Sequence, residues 1–392
     1  MYKLHAYFTD DGSVGLYSPD DNDIYHSIYG ALSEAYEKFI IPANLQKIFK
    51  SNNEIKILDI CYGIGYNTKS FLNEYIKFYY NESIYTDNIQ KYNCKIDTDN
   101  ICPKLYIHAI DIDKNLVLLS PFFKTNKKIT SNNINFDKNK LIKNLSKILH
   151  SKYKLNKIVN YILINKLYDM FDSEFDSLLF DRNNSVYFDK NCMAFYSGLK
   201  FINDKIIHDN KLLAFLHNIY YKYISTRHKR ALNSLQMFDF NFDINIDDAR
   251  NAIKHDNNLY NIIFLDAFSP DKCPCLWTLD FFKELYKHLD DKGIILTYSN
   301  SARIRNAFLN AGFYIGRNVV NEKSCGTVAC KNKSLIVNEL SEYDLGLLKT
   351  KAGIFYRDEN LTASNEDIIV RHKTEVSESN LISSTKYLKS LK

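Results

Sequence analysis

Five carboxylates stand where a parallel α/β sheet would present them to a ligand. Asp59 lies in IKILDICYGIGYNTKSFLNEYI, an apolar run followed by a turn with Gly63 and Gly65 and then an amphipathic helical pattern. Asp111 ends the apolar string LYIHAIDID, Asp247 and Asp248 follow the alternating string FDFNFDINI, and Asp266 ends NIIFLD. In an open α/β sheet, ligands bind beyond the carboxyl ends of the strands. Glycine lets the backbone approach there, and the next helix offers free N–H groups. At such positions Asp111 suits the two hydroxyls of a ribose, Asp247 and Asp248 the exocyclic amine of an adenine, and Asp266 the reacting end of the same ligand. Each acid alone is more often a helix cap or turn former. Their recurrence at successive strand ends favours the ligand.

The glycine loop lacks phosphate machinery, with neither GxxxxGK[ST] nor an intact GxGxxG. An adenosine-bearing ligand without a bound pyrophosphate or triphosphate points to S-adenosylmethionine, whose sulfonium donates a methyl group.

These residues need a scaffold of alternating strands and helices. GIILTYS continues the βα alternation after NIIFLDAF, so the pattern predicts a doubly wound, Rossmann-like sheet. Near the N-terminus a turn-rich polar segment around Asp11, Gly12 and Ser13 precedes a helical pattern. Ser27 is placed to cap that helix, and Ile28, Leu32, Ala35, Tyr36 and Phe39 fall at helical spacing before Pro42. From about Phe123 to Gln236 the pattern turns Lys/Asn/Ile/Leu-rich and helical, which reads as an insertion. The expected organisation is an N-terminal segment with the first half of the sheet over 1–123, an insertion over 124–235, the second half over 236–340, and a partly flexible extension over 341–392 whose last dozen residues are loose.

Composition sets the outer limits. The 392 residues are 45% hydrophobic and 25% charged, ordinary globular values that argue against a disordered chain. A net charge of +5 permits a polyanionic partner without demanding one. No stretch reaches the roughly 18 apolar residues of a membrane span, and the first residues lack a secretory pattern, so a cytoplasmic protein is expected. The eight cysteines include no CxxC pair, which favours reduced thiols over a metal site.

The strings DGSVGLYS, DIYHSIYGALSEA, ILDICYGIGYN, FLDAFSPDKCPCLW, LTYSNSARIRNAFLNAGF and KSCGTVA resemble the methyltransferase family represented by the N-terminal half of the bacterial bifunctional tRNA wobble-uridine enzyme MnmC and its stand-alone, MnmD-type relatives. FYRDENLTASNEDIIVRH resembles the tail that follows the catalytic domain in the stand-alone forms; the insertion matches nothing in the family. The resemblance implies a class I, Rossmann-like methyltransferase that converts 5-aminomethyl-2-thiouridine to 5-methylaminomethyl-2-thiouridine at the tRNA wobble position. It carries cofactor contacts onto Asp59, Gly63, Gly65, Asn67, Asp111 and Asp248. Asp266, the candidate catalytic residue, Phe268 and Pro270, with Tyr25, His26 and Ser27, would border the methyl-transfer cavity, flanked by Lys272 and Trp277. Tyr25, Phe268 and Trp277 are the candidates to stack on a flipped base.

The sequence departs from the family in three places. Cys61 replaces the usual first glycine of the loop, Ala302-Arg303 replaces a small pair, and IDDAR stands where Gly-Asp is common. The implied partners are the tRNA anticodon loop and a separate enzyme that supplies the aminomethyl precursor, because the chain after residue 331 has no GxGxxG for an oxidase half. Rival readings are methyl or aminopropyl transfer to a small amine, and a binding protein that has kept the fold without the cofactor. Oligomeric state is not legible in the residues.

Overall fold

A computed structural model describes residues 5–9, 11, 13–18, 23–25, 30–79, 103–120, 153–155, 159–160, 162–163, 166–167, 170–171, 187–188 and 240–391. Most of the predicted insertion, including Arg227, Lys229 and Arg230, lies outside the described residues. The strands are β1 (His5–Phe8), β2 (Val14–Ser18), β3 (Asp23–Tyr25), β4 (Glu54–Ile60), β5 (Lys104–Asp111), β6 (Tyr187–Phe188), β7 (Phe240–Ile246), β8 (Tyr260–Leu265), β9 (Leu289–Thr297), β10 (Tyr314–Val320) and β11 (Lys323–Cys330). The helices used below are α1 (Ala31–Ala35), α2 (Leu45–Ser51), α3 (Tyr66–Tyr79), α4 (Lys114–Leu119), α5 (Ala249–His255), α6 (Leu279–His288), α7 (Ala302–Asn310), α8 (Glu342–Leu348), α9 (Asn365–Glu378) and α10 (Ser384–Ser390).

The chain divides into two compact units. One comprises Met1–Tyr36, Gly63–Lys104 and Asp113–Asp239, the other Glu37–Tyr62, Leu105–Ile112 and Phe240–Lys392.

The second unit is built on a seven-stranded sheet of order β10-β11-β9-β8-β4-β5-β7. β4 runs parallel to β8, β8 to β9, and β5 to β7, while β11 is antiparallel to both β9 and β10. This is the predicted Rossmann-like sheet, with an antiparallel pair added at one edge. Strands covered on both faces must be apolar throughout, and Ile262, Ile263, Phe264 and Leu265 of β8 are all fully buried. Helices α6 and α7 join at a ring stack of Phe282 on Phe308, with centroids 3.8 Å apart and planes 3° from parallel. Trp277, Phe281, Leu285 and Ile304 fill the same core.

In the first unit, β1, β2, β3 and β6 form a separate four-stranded sheet of order β3-β2-β1-β6. Asp11 and Ser13, where the sequence reads as turns, lie between β1 and β2, and the Thr9 N–H donates to Ser13 O at 2.9 Å. The helix predicted from Ser27 starts later, at Ala31, with Gly30 as its N-cap, and Ser27 lies outside the described residues. Its cap comes from a distance: the Ala31 and Leu32 N–H groups donate to Ser13 Oγ at 2.9 and 3.2 Å, and the Ser33 N–H donates to Asp11 Oδ2 at 2.7 Å. Gly30 has φ 152°, and a Cβ there would stand 2.4 Å from Asp11 Oδ2. The Asp11, Ser13 and Gly30 positions of the DGS and YGA strings thus build a helix start.

The C-terminal tail, expected to be loose, ends in α10, capped by the Ser383 side chain.

Candidate cofactor and acceptor site

The order of the sheet creates a crevice between β4 and β8. From β4 the chain adds β5 and then β7 on one side, and β8 and β9 follow on the other, so the winding reverses at the β4–β8 pair. Ligands of doubly wound folds bind at that reversal, beyond the carboxyl ends. The strand ends there are level: Ile60 pairs with Leu265 and Asp111 with Ile246. Backbone bonds extend the alignment past the strands. The Asp266 N–H donates to Ile60 O at 3.3 Å, the Asp247 N–H to Asp111 O at 3.0 Å, and the Cys61 N–H to Ile110 O at 2.9 Å.

Cys61 sits at the middle of this rim. Its thiol is pushed well above the ordinary cysteine range, first by burial and then by the charges of Asp111, Asp266, Cys275 and Asp59. Those neighbours place three of the five predicted acids around one point. Asp59 is fully buried and Asp111 nearly so, whereas Asp266 is half-buried. Cys61 also has φ 63°, the left-handed region in which a glycine is at ease. A side chain at this position is a local cost, and it accounts for the glycine expected there.

Asp248 is held differently from the other acids. It caps α5, its carboxylate accepting the Arg250 N–H at 2.8 Å. Arg250 Nη2 also pairs with it at 2.7 Å, while Arg250 Nη1 reaches Asp358 Oδ2 at 2.8 Å and Ala363 O at 2.8 Å. Burial works to raise the Asp248 carboxyl, but the hydrogen bonds from Arg250 outweigh it and hold it below the ordinary carboxylate range. Both the cap and the ion pair leave the side chain 36% exposed, so it keeps a face for an amine donor.

The chain after β8 folds into a tight loop that carries Phe268, Pro270 and Lys272. The Lys272 and Cys273 N–H groups donate to Ser269 O at 2.8 and 2.9 Å. Phe268 and Pro270 are half-buried and Lys272 is exposed. Trp277 is different and corrects the expectation from sequence. It is 0% exposed, its Nε1–H donates to Phe268 O at 2.8 Å, and its ring packs edge-on against Tyr298 at 5.7 Å. A ring sealed on both faces has no surface for a flipped base, so Trp277 acts as the post that anchors Phe268. Tyr298 reinforces the loop by donating from its hydroxyl to Ala267 O at 2.9 Å.

The C-terminal segment braces this loop, which sequence reasoning missed. Tyr356 pairs with Thr278 in an isolated bridge, and its hydroxyl donates to Asp271 at 3.1 Å. Arg303, one of the departures from the family pattern, also binds Asp271, at 3.0 Å, and lies over the Tyr356 ring. The available signal was the pairing of an unusual arginine with the FYRDEN string.

In the first unit, Gly63 and Gly65 have φ 57° and 74°, as a glycine turn leading into α3 requires. Asn67 is buried in the first turn of α3. Below them lies Lys69, fully buried, whose Nζ donates to Ile64 O at 2.7 Å and Ser120 O at 2.6 Å. Burial lowers its pKa to about 7. A neutral amine has two hydrogens for those two carbonyls, one of which belongs to the glycine turn. Tyr25 is half-buried at the end of β3, and His26 and Ser27 lie outside the described residues.

Comparison with known proteins supplies the class. Residues 210–332 match the model of a family described as S-adenosyl-L-methionine-dependent methyltransferase. Over 96% of this chain and 86% of the other, the fold matches the crystal structure of MNMC2 from Aquifex aeolicus, with a TM-score of 0.57 and 19% identity. The chain has the Rossmann-like fold of that structure, and residues 210–332 carry the match to the S-adenosyl-L-methionine-dependent methyltransferase family. An uncharacterized protein of Methanocaldococcus jannaschii is 25% identical over 384 residues, 97% of this chain and 75% of that protein. A shorter similarity, 40% identity over 50 residues, 13% of this chain and 8% of the relative, is to the tRNA 5-methylaminomethyl-2-thiouridine biosynthesis bifunctional protein MnmC of Paraburkholderia phymatum.

The site chemistry fits that cofactor. A turn with left-handed glycines leads from β4 to α3, and the strand ends carry acids rather than a phosphate cradle. Among the described residues no group of three or more His, Cys, Asp or Glu side chains is placed to hold a metal ion, and no helix is long and apolar enough to cross a membrane.

Proposed function

We propose that this protein transfers a methyl group from S-adenosyl-L-methionine to the amine of 5-aminomethyl-2-thiouridine at the tRNA wobble position, giving 5-methylaminomethyl-2-thiouridine. The observation that carries the reading is Asp266, a half-buried carboxylate at the reversal point of the sheet, in the string FLDAFSP and beside Asp59 and Asp111. When bound, the cofactor supplies an electrophilic methyl on sulfonium. Asp111 would accept from the ribose hydroxyls and Asp248 from the adenine amine, with Asp59, Gly63, Gly65 and Asn67 as the further cofactor contacts that the resemblance implies.

The acceptor amine is protonated in neutral water and needs a free lone pair before it can attack. Asp266 orients it and takes its proton; the loop aligns the reactants and excludes water. Phe268 is the stacking surface for the extruded base, with Pro270 and Lys272 on its loop; the resemblance adds Tyr25, His26 and Ser27 to the acceptor side. The basic residues of the 124–235 insertion are the candidates to follow tRNA phosphates, and a separate enzyme would supply the aminomethyl precursor.

The test is transfer of tritiated methyl to bulk tRNA lacking this modification, followed by nucleoside mass analysis. Label in 5-methylaminomethyl-2-thiouridine is the expected result. Cofactor binding without label in tRNA, but with label in small amines, would move the reading to a small-molecule transferase.

A further inference from the structure

The sequence Cys273-Pro274-Cys275 holds two thiols at the base of the loop that carries Phe268, Pro270 and Lys272, with sulfur atoms 3.5 Å apart. The methyl-transfer reading uses neither. From this geometry we propose that Cys273 and Cys275 form a redox-active dithiol, oxidised by hydroperoxides to an intramolecular disulfide and reversed by thiols.

Three observations support it. The spacing keeps the two Cα atoms within about 7 Å at full extension, and the chain enters a 3-10 turn at Pro274, which shortens the span into the range a disulfide accepts. The two sulfurs are unequal: Cys273 is the more exposed and Cys275 is nearly buried. They also divide the proton between them. The hydrogen bond from the Cys273 S–H and the nearby Arg250 guanidinium favour the thiolate of Cys275, while that bond and burial keep Cys273 protonated.

The chemistry balances with hydrogen peroxide as oxidant. Cys275 thiolate attacks one peroxide oxygen, the O–O bond breaks, and hydroxide leaves, giving a sulfenic acid at Cys275. Cys273 sulfur then attacks the Cys275 sulfur, and the sulfenic hydroxyl departs with the Cys273 proton as water. Two thiols and one peroxide give one disulfide and two waters.

Bond formation must close the gap from 3.5 Å to about 2.05 Å. Cys273 is tied to the Ser269 carbonyl through its N–H at 2.9 Å, so its movement is transmitted to the turn that holds Pro270 and Lys272. Disulfide formation is thus a switch on the acceptor side of the site.

Trypsin cleavage after Lys272 and Lys283 releases a peptide holding these two cysteines and no others, as well as the chain's only tryptophan, Trp277. The native full-length protein is treated with stoichiometric peroxide, its free thiols are alkylated, and it is digested without reductant. The expected product is this peptide unalkylated and lighter by two hydrogens, with Trp277 fluorescence changed in parallel and both effects reversed by dithiothreitol. In Cys273→Ser, Cys275 should be trapped by a sulfenic-acid reagent such as dimedone. In Cys275→Ser, Cys273 should resist peroxide. A peptide doubly alkylated after peroxide, sulfinic or sulfonic acid as the main product in wild type, or a cross-link from Cys275 to Cys61 would each overturn the proposal.

Discussion

Replacing Arg250 with methionine tests whether the C-terminal segment and the strand-end acids are held by one cation. Methionine keeps much of the aliphatic stem and removes the guanidinium. Arg250 bridges Asp248 and Asp358, whose side chains are 36% and 3% exposed. The two losses differ in size for that reason. At Asp248 the solvent takes over, so the ion pair contributes at most about 1 kcal/mol, and the backbone cap bond from residue 250 survives the change. At Asp358 the carboxylate stays buried, with only the Thr362 and Ala363 N–H groups, at 3.1 Å each, to answer its charge. Stripping one partner from a buried pair costs about 3–5 kcal/mol, so the total should be near 4 kcal/mol, dominated by Asp358. Urea unfolding followed by Trp277 fluorescence and by far-ultraviolet circular dichroism measures it. Adding Asp358→Asn to Arg250→Met removes the stranded charge and should recover part of the loss. A single-variant cost under about 1 kcal/mol, or a double variant whose cost equals the sum of the two singles, would refute the reasoning.

Asp111→Ala should weaken S-adenosylhomocysteine binding by about ten- to a hundredfold in calorimetry, the loss of a charge-assisted bond of roughly 1.5–3 kcal/mol, with the unfolding midpoint little changed. Asp266→Asn should leave cofactor affinity within a few-fold and lower single-turnover methyl transfer by about 10²-fold; a near-normal rate would remove the base role. Lys69 has a folded-state pKa of about 7 and an unfolded one near 10.4. Between those values the unfolded chain binds more protons, so this residue makes stability rise with pH from about 7 to about 10.4; urea titrations across that window should show the slope in wild type and lose it in Lys69→Met. Replacing Arg227, Lys229 and Arg230 with alanine should weaken tRNA binding and flatten its log–log salt slope without altering cofactor affinity; an unchanged slope would make that stretch a solvated surface.

The sheet and its acids were legible along the chain because their signals are local. A parallel strand covered on both faces must be a continuous apolar run, and a carboxylate directly after such a run has to stand at the strand's carboxyl end, so Asp111, Asp248 and Asp266 could be placed before any contact was known. The β10–β11 pair was not identified as strands, because YIGRNVV and KSCGTVAC mix polar and apolar residues at an edge where burial is incomplete. Nor could residue type distinguish Phe268 from Trp277: both are aromatic residues of one motif. Packing against Tyr298 buries Trp277 completely and leaves Phe268 half-open.

The sequence by itself determined the βα alternation, the glycine turn and the acids at the strand ends, since each follows from hydrophobic period and turn chemistry within a few residues. Tertiary structure alone decided which polar groups are already committed. Arg250 reaches Asp358 from 108 positions away and Tyr356 reaches Asp271 across 85, and Asp11 and Ser13 cap a helix about 20 residues further on. Such partners are chosen by the closing of the chain around its core, and no local pattern encodes them.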